Sequence, residues 1–120
     1  MDNVLQRYET LREVVARHFS EHTQQMVDHA LTFAQEHLES HLRYDSTPLL
    51  DHGVGVARIV IEEIGLGRNS TIAAIIHDVV RIAMQSHSSN LDQIIATIRK
   101  EYGEEVLGIT IALCKISDIK

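Results

Sequence analysis

Asn69-Ser70-Thr71-Ile72-Ala73-Ala74-Ile75-Ile76-His77-Asp78-Val79-Val80-Arg81-Ile82-Ala83 is the stretch on which the fold turns. It contains neither Pro nor Gly, and its apolar residues recur at helical spacing on several faces at once. A helix so apolar all round belongs in the middle of a bundle rather than on its surface. Asn69-Ser70 reads as its cap, and Gly65-Leu66-Gly67 separates it from a preceding helix that opens at His52 and buries Val56, Ile59, Val60 and Ile64. Before that, Arg43-Tyr44-Asp45-Ser46-Thr47-Pro48 reads as a loop, because Pro biases the residue before it away from helix. The first 42 residues hold neither Pro nor Gly and divide into two helices. One carries Val4, Leu5, Tyr8, Leu11, Val14, Val15 and Phe19; the other starts near Ser20 and carries Met26, Val27, Ala30, Phe33, Ala34 and Leu38. Downstream, Ser88-Ser89-Asn90 caps a helix from Leu91 to Tyr102, Gly103 stops it, and another runs from about Glu104 to Cys114. Strand alternation is nowhere sustained, Ile109-Thr110-Ile111 being too short. The expectation is an all-α, compact bundle of five to six helices with no sheet, forming one domain over residues 1–120. Cys114-Lys115-Ile116-Ser117-Asp118-Ile119-Lys120 is still apolar at alternate positions, so the chain is expected to be a fragment truncated at its C-terminal end.

Composition narrows the function. Apolar residues make up 44% of the 120 and charged residues 23%, which is globular rather than disordered. Eleven Lys and Arg against seventeen Asp and Glu give a net charge of −6. Such a surface repels phosphate backbones, so general nucleic-acid binding is not expected, although one or two local Arg residues can still hold a small phosphorylated ligand. One cysteine, Cys114, fits a reducing cytoplasm and a place in the core. No apolar run is long enough to span a membrane and no signal peptide is evident.

Eight histidines are many for this length. His77-Asp78 stands out because it interrupts the most apolar helix, where a charge is costly unless paired or bound to metal. Neighbouring residues point roughly 100° apart around a helix, so an imidazole and a carboxylate there can both reach one cation. His52 is a third candidate ligand, since a helical hairpin brings its helix against the central one. The alternative is a buried His-Asp hydrogen bond with His52 merely exposed at a helix start. His18/His22 and His37/His41 are spaced four apart but sit among charged and polar residues, as expected of solvated helix faces. His29 and His87 give no signal.

Taken in order, Arg43…His52, Val56-Ala57-Arg58-Ile59, Ser70 to Val80, the Ile94 to Val106 segment with Tyr102-Gly103-Glu104-Glu105-Val106, and Cys114-Lys115-Ile116-Ser117 form a familiar series. It resembles the N-terminal HD domain of the RelA/SpoT homologue family, the enzymes that make and degrade the alarmone (p)ppGpp. The resemblance implies an HD-type helical fold, a manganese ion held by His52, His77, Asp78 and a further Asp beyond the end of this chain, and Arg43 in the pocket of a guanine nucleotide. It also implies a synthetase domain in the parent chain and a cytoplasmic protein of the stringent response.

The chain departs from that pattern in two places. Active members follow the His-Asp-Val-Val block with Glu-Asp, two acids that orient and deprotonate water; here the positions hold Arg81 and Ile82. Ile accepts no proton, and Arg81 is expected to pair with ligand phosphate or with Asp78, competing with the cation. The loop reads Ser46-Thr47-Pro48 where Gly-Glu-Pro is usual. The expectation is therefore a degenerate HD domain with weakened or lost hydrolysis and a regulatory role. The alternatives are an active manganese-dependent (p)ppGpp 3′-pyrophosphohydrolase and a non-catalytic helical interaction module.

Overall fold

A computed structural model describes residues 4–117. In chain order these form α1 (Val4–Arg7), α2 (Glu9–His18), α3 (Glu21–Leu38), α4 (Leu49–Ile59) continued by a π-helical turn (Val60–Ile64), α5 (Arg68–Gln85), α6 (Leu91–Tyr102) and α7 (Glu104–Ser117). Among the described residues there is no strand; a single bridge between Leu42 and Pro48 closes the loop ahead of α4. The all-α expectation is met, with the first expected helix interrupted at Tyr8. Residues 118–120, part of the apolar tail noted above, lie outside the described residues.

α5 is the axis of the bundle. Every residue from Thr71 to Val80 is buried, and α3, α4, α6 and α7 all pack against it, α7 and α4 most extensively. The core around it includes Leu11, Val14, Leu31, Leu50, Ile98 and Val106.

Local chemistry accounts for most of the boundaries. Ser20 accepts a hydrogen bond from the Thr23 amide at 3.2 Å and so caps α3, which starts where expected, near Ser20. Gly65 (φ 77°) and Gly103 (φ 97°) end their helices in backbone regions that favour glycine. Two helix starts differ from expectation. α4 begins at Leu49 rather than His52: Pro48 has its fixed φ of −57° at the N-cap, and the early start buries Leu49 and Leu50. α5 begins at Arg68 behind Gly67 instead of being capped by Asn69-Ser70. Asn69 turns its amide to Glu105 Oε2 at 2.9 Å, tying α5 to α7, while the Thr71 hydroxyl donates to the Gly67 carbonyl at 3.0 Å.

Candidate metal centre

The site lies where the first turns of α4 meet the middle of α5. Its geometry depends on Gly53: a Cβ built there would lie 3.0 Å from the Ala74 carbonyl oxygen and 3.2 Å from that of Ile75. Only glycine lets the backbones of α4 and α5 come this close. The approach carries His52, the preceding residue, up to His77 and Asp78.

The expected trio converges. One ligand atom from each of His52, His77 and Asp78 lies within 4.8 Å of the others, a group that could hold a metal ion. His52 Nδ1 is 3.5 Å from Asp78 Oδ2, and His77 Nε2 is 3.4 Å from Asp78 Oδ1. The two imidazoles meet edge to face, with centroids 5.9 Å apart. His77 and Asp78 are buried, whereas the His52 side chain is 42% exposed and opens the trio to solvent.

Hydrogen bonding decides which atoms are available. His77 Nδ1 lies 2.7 Å from the Ala74 carbonyl oxygen, which only accepts, so Nδ1 carries a proton and Nε2 is the ring atom turned to Asp78. At 3.4 Å from Oδ1, that nitrogen and the carboxylate are brought together by a positive charge, whether a proton on Nε2 or a metal ion between them. Asp78 Oδ2 is buried and accepts no hydrogen bond from the described residues. An orphaned carboxylate oxygen beside two imidazole nitrogens is a donor set that fits a divalent transition-metal ion. The Ala74 carbonyl supplies the outer hydrogen bond that orients a ligating histidine. The other carboxylate oxygen, Oδ1, accepts from Arg81 Nε at 2.7 Å.

A cleft of about 610 Å³ opens over this group, lined by His41, Leu42, Arg43, Tyr44, Leu49, His52, Asp78, Arg81 and Ile82. Arg43 therefore shares the cleft with His52 and Asp78. Its guanidinium lies 5.6 Å from the ring of Tyr44, a side chain 94% exposed. The loop carrying both is held by Arg43 N–H donating to the Thr47 carbonyl at 2.8 Å. Asp45 accepts from the Thr47 hydroxyl at 2.6 Å, and with the Thr47 amide this holds the Asp45 carboxyl below its ordinary range.

The remaining histidines divide. His18 and His22 are exposed, as expected of a solvated face. His37 is exposed too, but α3 ends at Leu38, so His41 shares no helix face with it. His41 instead lines the cleft, half-buried, with an Nδ1 that makes no hydrogen bond among the described residues. His29 Nδ1 is 2.7 Å from the Tyr102 hydroxyl, and His87 is exposed at the end of α5. Cys114 is buried, its thiol donating to the His77 carbonyl at 3.4 Å. Sequence reading missed Gly53. Its signal was a glycine inside a helix, beside a candidate ligand, where alanine is favoured unless close approach requires otherwise.

A family model described as HD domain matches residues 30–120, and the chain belongs to that family, a metal-dependent phosphohydrolase-type fold. The match includes His52, His77 and Asp78. Comparison with curated proteins and with solved structures gave no match.

Proposed function

We propose that this chain is the HD domain of a cytoplasmic (p)ppGpp synthetase/hydrolase-type protein of the stringent response. In this reading it retains a metal and nucleotide cleft but hydrolyses poorly or not at all, and acts as a regulatory domain beside a synthetase domain. The observation that carries the reading is the cleft's lining: among the described residues Asp78 is the one carboxylate in it, and Arg81 already holds that carboxylate. A manganese ion held by His52, His77 and Asp78 would polarise a phosphoryl group and acidify water. Removing the proton still requires a base, and Arg81 and Ile82 supply none. Arg43 and the exposed Tyr44 ring at the cleft suit a phosphorylated nucleotide, the guanidinium pairing with phosphate and the ring stacking on a base.

The test is pyrophosphate release from ppGpp with Mn²⁺, measured on the full chain as it stands and with Arg81→Glu and Ile82→Asp together. A general base is typically worth about 10²–10⁴-fold in rate, so the doubly substituted chain is expected to gain on that order. Hydrolysis at an ordinary enzymatic rate by the unsubstituted chain would make these acids dispensable and favour the active-hydrolase reading. Absence of any nucleotide or metal binding would favour a plain interaction module.

A further inference from the structure

We infer that Arg81 is a displaceable counter-cation for Asp78, holding the carboxylate in the metal-free protein and opposing metal entry. The inference rests on the metal reading of the trio and adds a regulation of that site.

Asp78 lies in the middle of the most buried helix, with its side chain 3% exposed. A carboxylate in that position is strongly destabilising without a cation. Arg81, one helical turn later on α5, meets the need by donating from Nε to Oδ1 at 2.7 Å. The contact is a single one: Nη1 points away to Gln85 Oε1 at 3.3 Å, and the Arg81 side chain is 20% exposed. Arg81 also lines the cleft, which is wide enough to receive the guanidinium once it lets go. A one-point tether at a cleft edge is easier to release than a bidentate pair fixed on both oxygens.

The oxygen Arg81 holds is the one His77 Nε2 faces at 3.4 Å. A cation taken up by the orphaned Oδ2 and the two imidazoles must share the Asp78 carboxylate with the guanidinium or displace it. Sharing places two positive charges together in a buried site, and displacement gives up a charge-assisted hydrogen bond. Either way Arg81 weakens metal binding, while in the absence of metal it stabilises the fold. These opposite signs separate a counter-cation from a merely structural residue, whose loss would weaken both.

Mn²⁺ titration followed by the electron-spin resonance of the free ion, with thermal melts in the presence and absence of metal, tests this on the wild-type chain, Arg81→Gln and Arg81→Lys. Arg81→Gln is expected to melt below wild type without metal, to bind Mn²⁺ about ten- to a hundredfold more tightly, and to gain more thermal stability from the ion. Arg81→Lys keeps the charge on a different head and is expected to fall between; it carries the test should Arg81→Gln fail to fold. Adding His77→Ala must abolish the tight binding, which places it at this trio. Equal affinity in wild type and both variants, lost with His77→Ala, overturns the inference and leaves the metal reading standing. Failure of every chain to bind Mn²⁺ overturns both.

Discussion

Replacing Gly53 with alanine, beside the same replacement at Gly55, isolates the contact on which the site is built. Both glycines lie in α4, two residues apart, and both substitutions gain the same helix propensity, about 0.5–1 kcal/mol relative to glycine. Their surroundings differ. A Cβ at Gly55 meets nothing within 4 Å, whereas one at Gly53 meets Ala74 O at 3.0 Å, Ile75 O at 3.2 Å and Ile75 Cα at 3.6 Å. Ordinary carbon–oxygen contact requires α4 to move away from α5 by several tenths of an ångström, and both obstructing atoms are backbone. Overpacking of this kind typically costs about 1–3 kcal/mol. Because the propensity gain cancels between the two variants, the difference in unfolding free energy between Gly55→Ala and Gly53→Ala should be about 1–3 kcal/mol, all of it contact. Urea unfolding curves with equal slopes would measure it directly. The effect should also reach the site, since the pressed Ala74 carbonyl is the acceptor for His77 Nδ1. Gly53→Ala should therefore weaken Mn²⁺ binding where Gly55→Ala does not. Equal stability and equal metal affinity in the two variants would refute the close approach as the device that assembles the trio.

Removing the α3 cap by Ser20→Ala should cost roughly 1 kcal/mol in the same urea assay, with unchanged slope, because it orphans the Thr23 amide. Burial, with the hydrogen bond to Asp51, raises Tyr8, and burial, with Glu101 and Glu36 nearby, raises Tyr102, both well above the ordinary 10.0. A folded value above the unfolded one means the protonated hydroxyl stabilises the fold. That stability is complete below about pH 10 and is lost as pH rises through the folded values. Absorbance titration should show two tyrosines ionising late together with alkaline unfolding, and Tyr8→Phe should remove one of the delayed steps. Truncating a buried residue facing the axis, Leu50→Ala, should cost about 2–5 kcal/mol, read as a fall in urea midpoint.

Helix type and order from α2 onward could be read from the chain because these helices carry an apolar face or, in α5, near all-round burial. Helix starts were less readable. Asn69 and Ser70 are good capping residues, yet Asn69 gains a tertiary bond to Glu105 that local sequence cannot announce. Tyr8 lies on the apolar stripe of an apparently continuous helix. In the structure it separates α1 from α2 and reaches across 43 residues of sequence to donate to Asp51 Oδ1 at 2.7 Å. Arg7 adds a contact to the same carboxylate at 3.3 Å, so the N-terminal segment is fastened to the first turn of α4, next to His52. Pairings of this kind depend on where helices cross. Periodicity along one helix does not contain that information.

Asp78 could be singled out for a reason that separates donors from acceptors. Inside an α-helix the amide hydrogens are already engaged, while each carbonyl oxygen retains a second lone pair. A buried side chain with a proton to give can therefore satisfy itself locally. Thr71 donates to the Gly67 carbonyl, Thr110 to the Val106 carbonyl at 2.8 Å, and His77 to the Ala74 carbonyl. An ionised carboxylate in the same environment can only accept, and its own helix backbone offers no free donor. It must draw a donor or a cation from side chains or from solution, and two atoms need one each. Arg81 serves Oδ1, and among the described residues no hydrogen bond reaches Oδ2, which lies open to the nitrogen of His52. A buried threonine or histidine in a helix is thus compatible with structure alone, whereas a buried aspartate calls for a donor or cation that its helix backbone does not supply. That asymmetry makes Asp78 the residue whose replacement is most informative. Asp78→Asn keeps the shape and supplies its own donor, so it should retain the fold without either cation and lose response to Mn²⁺ in melting temperature. A melting temperature still raised by Mn²⁺ in Asp78→Asn, to the wild-type extent, would show that the cation binds elsewhere.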